Sequence, residues 1–379
     1  MSLIGIDLSA TRILAVGGPA GGLPRNLQLD GSRPELPLVV SLEKRKPQVG
    51  RPGLAICRKL PHLICRDFLC HVGTDRAWST GRRRLDAVKL TALAFEHLRP
   101  TLKGSAGAVM VVPGYLTNDQ TERIRRLADN ARWPLSAMTG ASLAIAWSAC
   151  MEEPWSDLAM VADVDDHALT WTAFAVSDRR MSLVGQRTLP QLGTTAWTTR
   201  LINAVADRCV RQSRRDPRES ADAEQMLHDQ LESACEACRH GRIVEFGLET
   251  EHWYQNLMLP PEDFLAFTAP LARRVADERH VLDAELALHE PARMLLITWS
   301  AARLPGLVEA VRDSVSAQVK IILLPAEAGA RAAHELASYI ERRELPRGGF
   351  DLAIPLLRGG DADDDDVFPD IDPILRTGF

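Results

Sequence analysis

The residues of this chain best suited to chemistry are carboxylates at the ends of apolar runs. Asp7 follows Leu3-Ile4-Gly5-Ile6, and Leu8-Ser9-Ala10-Thr11 then leads into Ile13-Leu14-Ala15-Val16. Asp163 follows Leu158-Ala159-Met160-Val161-Ala162, and Val164-Asp165-Asp166-His167 leads into Leu169-Thr170-Trp171-Thr172-Ala173-Phe174. Clustered carboxylates such as Asp163, Asp165 and Asp166 are what a hard cation, Mg2+ or Ca2+, favours. The plainer reading is structural: an Asp7 that caps its own turn, and an Asp-rich hairpin turn in which His167 is solvated. Cys235-Glu236-Ala237-Cys238 with His240 offers thiolates and an imidazole. A single Cys-x-x-Cys without a second pair falls short of a zinc site, and on a helix these thiols pack as small apolar groups. Trp299 either stacks on a ligand base or fills an unused cleft. The arginine clusters 82–84, 123–126 and 211–218 have acidic or apolar neighbours and no interleaved aromatics, which reads as solvated helix faces.

These groups must be positioned by an α/β framework, because apolar strands alternate with helical stretches in both halves. Ala108-Val109-Met110-Val111-Val112 is a buried strand by its continuous apolar run. Pro113-Gly114-Tyr115 ends it, and Thr117 with Gln120 forms a capping box for a helix over Asn118 to Ala131. Met294-Leu295-Leu296-Ile297 is the counterpart strand, with a loop through Pro305 and a helix from Gly306. Each half therefore opens on a hairpin and later repeats strand, loop and helix, a duplication of pattern without identity. Between them, Asp216-Pro217-Arg218-Glu219 has the N-cap and first-turn proline of a helix start. Ala223, Leu227, Leu231, Ala234 and Cys238 form its apolar stripe, and Gly241 stops it. Leu259-Pro260-Pro261-Glu262-Asp263-Phe264 opens another helix.

The 379 residues suit one large two-lobed unit or two domains, and a net charge of −5 exerts no general pull toward nucleic acid or anionic membrane. No apolar run is long enough to span a bilayer, and Asp7 interrupts the stretch where a signal peptide would need its apolar core. Seven irregularly spaced cysteines favour free thiols in a reducing cytoplasm over a disulfide framework. Beyond Pro346 the composition shifts to Gly, Pro and Asp, and the self-repelling run Asp361 to Asp366 reads as a solvated tail.

In order and spacing, these motifs resemble the nucleotide-binding domain of the heat-shock protein 70 family, within the actin and hexokinase superfamily, from Ile4 to about Tyr339. Ile4 to Val16 is similar to the family's first phosphate loop, and Val49-Gly50-Arg51-Pro52 to Val72-Gly73 to its Val-Gly-x-Pro to Ile-Gly segment. Val111 to Gln120 resembles its Val-Pro-Ala-Tyr-Phe-x-x-x-Gln stretch, and Ala144-Ile145-Ala146-Trp147 its Ala-Ile-Ala-Tyr helix. Asp163 onward stands at its Asp-Leu-Gly-Gly-Gly-Thr, and Leu192-Gly193 at its Leu-Gly-Gly-Glu. Ala302-Arg303-Leu304-Pro305 resembles Thr-Arg-Ile-Pro, and Ala326-Glu327-Ala328-Gly329-Ala330 resembles Asp-Glu-Ala-Val-Ala.

The resemblance implies an actin-like two-lobed ATPase fold of duplicated ribonuclease H-like subdomains. Lobe I would cover 1–155, and lobe II 156–325 with a helical insertion at about 216–285. A helix over 326–345 would cross back to lobe I, and an acidic, disordered tail would occupy 346–379. It implies ATP or ADP with Mg2+ as cofactor, held by Asp7, Ser9, Ala10, Thr11, Asp163, Gly193 and Arg303, with Asp7 and Asp163 at the metal. It also implies a protein partner, such as another heat-shock protein 70-like subunit, and neither nucleic acid nor membrane. The departures imply that hydrolysis is reduced or lost. Asp165, Asp166 and His167 stand where three glycines let main-chain N–H groups approach phosphate. Leu69 stands at the catalytic lysine, Thr139 at the catalytic glutamate, Pro190 at a phosphate-contacting threonine, and Trp299-Ser300 at a Gly-Gly pair beside the nucleoside. Cys235, Glu236 and Arg239 stand on the helix that clamps adenine. The expectation is a binding or scaffold protein; the alternative is a working ATP-dependent switch without a client-binding domain. Phe350 to Leu357 resembles the family's apolar interdomain linker.

Overall fold

The opening apolar runs form strands because every residue between Leu3 and Ile6 is buried, which only the interior of a sheet covered on both faces allows. The protein is described here from a computed structural model covering residues 2–80, 83–155, 157–177, 179–286, 292–357 and 374–377. It is a mixed α/β structure with two large sheets. In the first sheet, Ser2–Leu8 pairs antiparallel with Arg12–Pro19 and parallel with Gly107–Val112, which is followed in parallel by Leu135–Gly140 and Gly348–Phe350. In the second, Asp157–Val164 pairs antiparallel with Leu169–Ser177 and parallel with Met294–Ile297, followed in parallel by Lys320–Leu323. Arg180–Leu189 continues its antiparallel side. Each sheet is thus centred on a hairpin, whose first strand takes a parallel neighbour on its open side.

Two helices lie between the sheets. Ala141–Glu152 is apolar almost all round, with Leu143, Ala144, Ile145, Ala146 and Trp147 all buried, because it meets strands of both sheets. Ala328–Glu341 packs on Ser2–Leu8 and Gly107–Val112, and its alanines let the backbones come close. The approach is tightest at Gly5, where a Cβ would lie 2.0 Å from the Ala330 carbonyl oxygen and 2.3 Å from the His334 nitrogen. Glycine is required there by space. The far face of the first sheet is covered by Ala87–Leu102 and Asn118–Asn130, and that of the second by Pro261–Glu285 and Leu307–Asp313. A further core, with Phe246 and Phe264 at its centre, joins the helices Thr194–Ser213 and Ala221–Arg239 to the hairpin Val244–Glu249 and Tyr254–Leu259.

Several local readings meet their counterparts. Thr117 accepts from the Gln120 N–H and Gln120 reaches back to the Thr117 N–H, so the capping box is complete. Asp216 does cap a turn, but Pro217–Glu219 is only a 3₁₀ turn, and the α-helix starts at Ala221 with Ser220 as its cap. Ser220 wins because its hydroxyl accepts from the N–H of Ala223, three residues on, where the apolar stripe begins. Residues beyond Pro346 begin differently from a solvated tail. Gly348–Phe350 edges the first sheet and Ala353–Pro355 edges the second, while Trp147 Nε1 donates to the Pro355 carbonyl at 2.9 Å. The linker-like segment Phe350 to Leu357 therefore stitches the sheets together. Ile374–Thr377 adds a strand parallel to Arg180–Leu189. The run Asp361 to Asp366 lies outside the described residues, as does Arg82. Among the described residues, no helix is long and apolar enough to cross a membrane.

Candidate functional site

The two hairpin turns meet face to face. Asp165, rather than pointing to solvent, is buried and enters the turn of the first hairpin. Its Oδ2 accepts from the Ala10 N–H at 2.9 Å and from the Tyr115 hydroxyl at 2.6 Å. Its Oδ1 accepts from the N–H groups of His167 and Ala168 at 2.9 and 3.0 Å. Asp166 makes the second link. The Thr11 hydroxyl donates to Asp166 Oδ1 at 3.1 Å and accepts from the Asp166 N–H at 2.8 Å, and the Thr194 hydroxyl donates to the same carboxylate oxygen. Arg66 Nη2 donates to Oδ2 at 2.8 Å. The strands position these groups: each hairpin ends at its turn in register, Leu8 with Ile13 and Val164 with Leu169.

Behind the turns, Asp7 and Asp163 line a cavity of about 30 Å3 with Ser9, Thr298 and Gly329. Gly329 makes room for Asp7, since a Cβ there would come 2.8 Å from its Oδ2. Burial pushes the Asp7 carboxyl up to about 6, although Arg12 pulls it down. Burial, then the Asp7 and Asp165 charges, push Asp163 up to about 7. Asp165 is also raised by burial, against the pull of its Tyr115 and Ala10 hydrogen bonds.

A second set of links closes the opposite rim. Gln225 Oε1 accepts from the Arg58 N–H at 2.8 Å and its Nε2 donates to the Leu54 carbonyl at 2.9 Å. Arg58 pairs with Glu224 at 3.3 Å and Lys59 with Asp222 at 2.5 Å. Between rim and turns lies a cleft of about 570 Å3 bordered by Arg12, Arg66, Trp197, His228, Trp299 and Arg303. Trp299 is held between two guanidinium groups, Arg303 at 4.1 Å and Arg12 at 4.8 Å from its ring centre. Arg303 also pairs with Glu232 at 2.9 Å, and Arg12 with Glu35 at 2.8 Å.

The expected site residues can now be placed. Asp7, Asp163, Ser9, Ala10 and Thr11 do come together at the meeting of the hairpins. Gly193 caps the helix Thr194–Ser213 and packs on the second turn, where a Cβ would sit 2.7 Å from the His167 carbonyl carbon. Arg303 is across the cleft, on Trp299. Asp163, Asp165 and Asp166 do not converge on one point. Asp163 turns inward to Asp7, while Asp165 and Asp166 spend their oxygens on protein donors. His167 is not a free turn residue: its Nδ1 lies 3.3 Å from Asp67 Oδ1 and its ring 5.0 Å from that of Tyr115. Leu69 is fully buried and Thr139 donates to the Phe350 carbonyl, so neither replaces the catalytic group at its position. Cys238 is buried, and His240 turns to Glu236 at 2.8 Å, away from both cysteines.

A magnesium–nucleotide complex would compete here with the protein's own carboxylates. Its phosphates would need the Ala10 N–H and the Thr11 hydroxyl, which Asp165 and Asp166 already hold. The sequence reading missed Tyr115, Arg66 and Gln225 as links between the halves. Pro113-Gly114 before Tyr115 was the available signal, since a strand that stops so sharply presents the next side chain at its end. It also missed Asp67, Cys70 and His71, whose possible ligand atoms all lie within 4.8 Å of one another. No family model matches the chain, and no curated protein matches it.

Proposed function

We propose that the chain is an actin-like, two-lobed homologue of the heat-shock protein 70 nucleotide-binding domain that has become a binding or scaffold protein. In this reading its own carboxylates replace the phosphates that once joined the lobes. The observation that carries it is Asp165 accepting from the Ala10 N–H across the meeting of the two turns, with Asp166 on the Thr11 hydroxyl beside it. In the family the chain resembles, that turn cradles an anion; here two anionic side chains fill the same role without leaving. The matching strand patterns of the two sheets support a duplicated fold. The lost glycines, lysine and glutamate support the loss of hydrolysis, a reaction that depends on positioned cations and donors. A protein partner, such as another heat-shock protein 70-like subunit, is part of the same proposal.

Isothermal titration with ATP and Mg2+ tests it: no heat is expected at high protein concentration, and micromolar affinity would overturn it. A second reading, an ATP-binding switch, draws on the cleft of about 570 Å3, which lies within the range of small-molecule sites and has Trp299 and Trp197 on its walls. The same titration separates the two.

A further inference from the structure

We propose that Asp67, Cys70 and His71 form a binding site for a zinc-class divalent cation. The backbone converges these side chains. Phe68, Leu69 and Val72 are anchored in the core, each at most 1% exposed, and Asp67, Cys70 and His71 stay half-buried beside them. Asp67 adopts a left-handed backbone, φ 52°, and the 3₁₀ turn Leu69–His71 brings Cys70 back over it. Cys70 Sγ lies 3.2 Å from Asp67 Oδ1, His71 Nε2 lies 4.0 Å from Asp67 Oδ2, and ligand atoms of the three residues lie within 4.8 Å of one another. Zinc bonds of about 2.0–2.3 Å put tetrahedral ligand atoms roughly 3.3–3.7 Å apart, so side-chain rotation alone closes the set. Gln120 Nε2 donates to the Cys70 carbonyl at 2.7 Å and holds the turn in place.

The donor set also selects the ion. A thiolate, an imidazole and a carboxylate suit zinc and exclude the hard cations that take oxygen alone. Three protein ligands leave the fourth position to water. On binding, Cys70 gives up its thiol proton to solvent, and Asp67 Oδ2 turns to the metal. Oδ1 stays with His167 Nδ1 at 3.3 Å, so His167 is a positioning residue for the carboxylate. Because His167 belongs to the turn that carries Asp165 and Asp166, the ion would brace the same junction that those acids hold. The exposed Arg76 donates to His71 Nε2 and stands where a cation would come, and must swing outward to admit it.

The test uses the whole chain, stripped with chelator and dialysed against zinc, with metal content read by atomic emission. One equivalent per chain is expected. Cobalt in place of zinc should give a thiolate-to-metal charge-transfer band in the wild type. Both signals should vanish in Cys70→Ser and persist in Cys235→Ser. Arg76→Ala should bind several-fold more tightly. His167→Ala should weaken binding about 10- to 100-fold, and His167→Gln, which restores a donor, should recover part of it. Wild-type protein without stoichiometric zinc, or Cys70→Ser that keeps both metal and band, would overturn the site. The wild-type cobalt spectrum needs no variant to fold. Neither result bears on nucleotide, so the two proposals fail separately.

Discussion

Asp7 and Asp163 line the same small cavity, and a charge on either is costly there. Their raised values, from 3.8 to about 6 and about 7, mean that the native state holds protons that the unfolded chain has released. Stability contributed by this pair is therefore present at low pH and lost as pH rises from about 4 through about 7. Asp7→Asn removes the Asp7 part of that loss. Its stability relative to wild type should grow by on the order of 3 kcal/mol between about pH 4 and pH 8, read from urea melts at both. A constant difference would show that Asp7 is charged throughout. Asp165, also raised by burial, differs in being an acceptor with four donors. Asp165→Ala strands the Tyr115 hydroxyl and the Ala10 N–H, at about 1–3 kcal/mol for each unpaired donor. Denaturant unfolding should show a loss well above that of Asp222→Ala, whose partner is exposed.

Elements explain why the turns meet at all. The helix Ala328–Glu341 rests directly on the strand Ser2–Leu8, and Gly5 and Gly329 are the places where any Cβ would push them apart. Gly5→Ala meets backbone, which cannot rotate away, so a loss of at least about 1–3 kcal/mol in denaturant midpoint is expected. A neutral Gly5→Ala would mean that the helix can lift off. The same displacement would move Asp7, so this variant should also change the pH dependence described above. The capping box on Asn118–Asn130 is local, and Thr117→Ala should cost about 1 kcal/mol without altering that pH dependence.

At the scale of the molecule, the cleft is held shut at two places: the Asp165–Asp166 turn and the Gln225 rim. Removing one leaves the other. A variant combining Asp166→Ala, Glu224→Ala and Gln225→Ala should open the cleft, seen as a larger radius of gyration in solution scattering and faster proteolysis near Arg58. An unchanged scattering profile would show that the helices between the sheets, not these links, set the closure. The segment Gly348–Pro355 reaches both sheets and would limit how far they part. The Arg123 to Arg126 cluster is matched on its own helix by Asp119, Glu122 and Asp129, and so presents no bare basic face there.

Periodicity and turn chemistry made much of the framework legible in advance. Continuous apolar runs marked the central strands at 108–112 and 294–297, the Thr117–Gln120 pair marked a helix start, and strand-ending Asp7 and Asp163 marked the two turns. These are local properties, written within a few residues of one another. What needed the tertiary structure was every relation between residues far apart in the chain. The role of Asp165 depends on Ala10 and Tyr115, that of His167 on Asp67, and that of Gln225 on Leu54 and Arg58. A carboxylate in a turn looks the same in sequence whether it faces water or an N–H group 155 positions away. Only folding decides which, because only the packed sheets and the helices between them bring the donor within hydrogen-bonding reach.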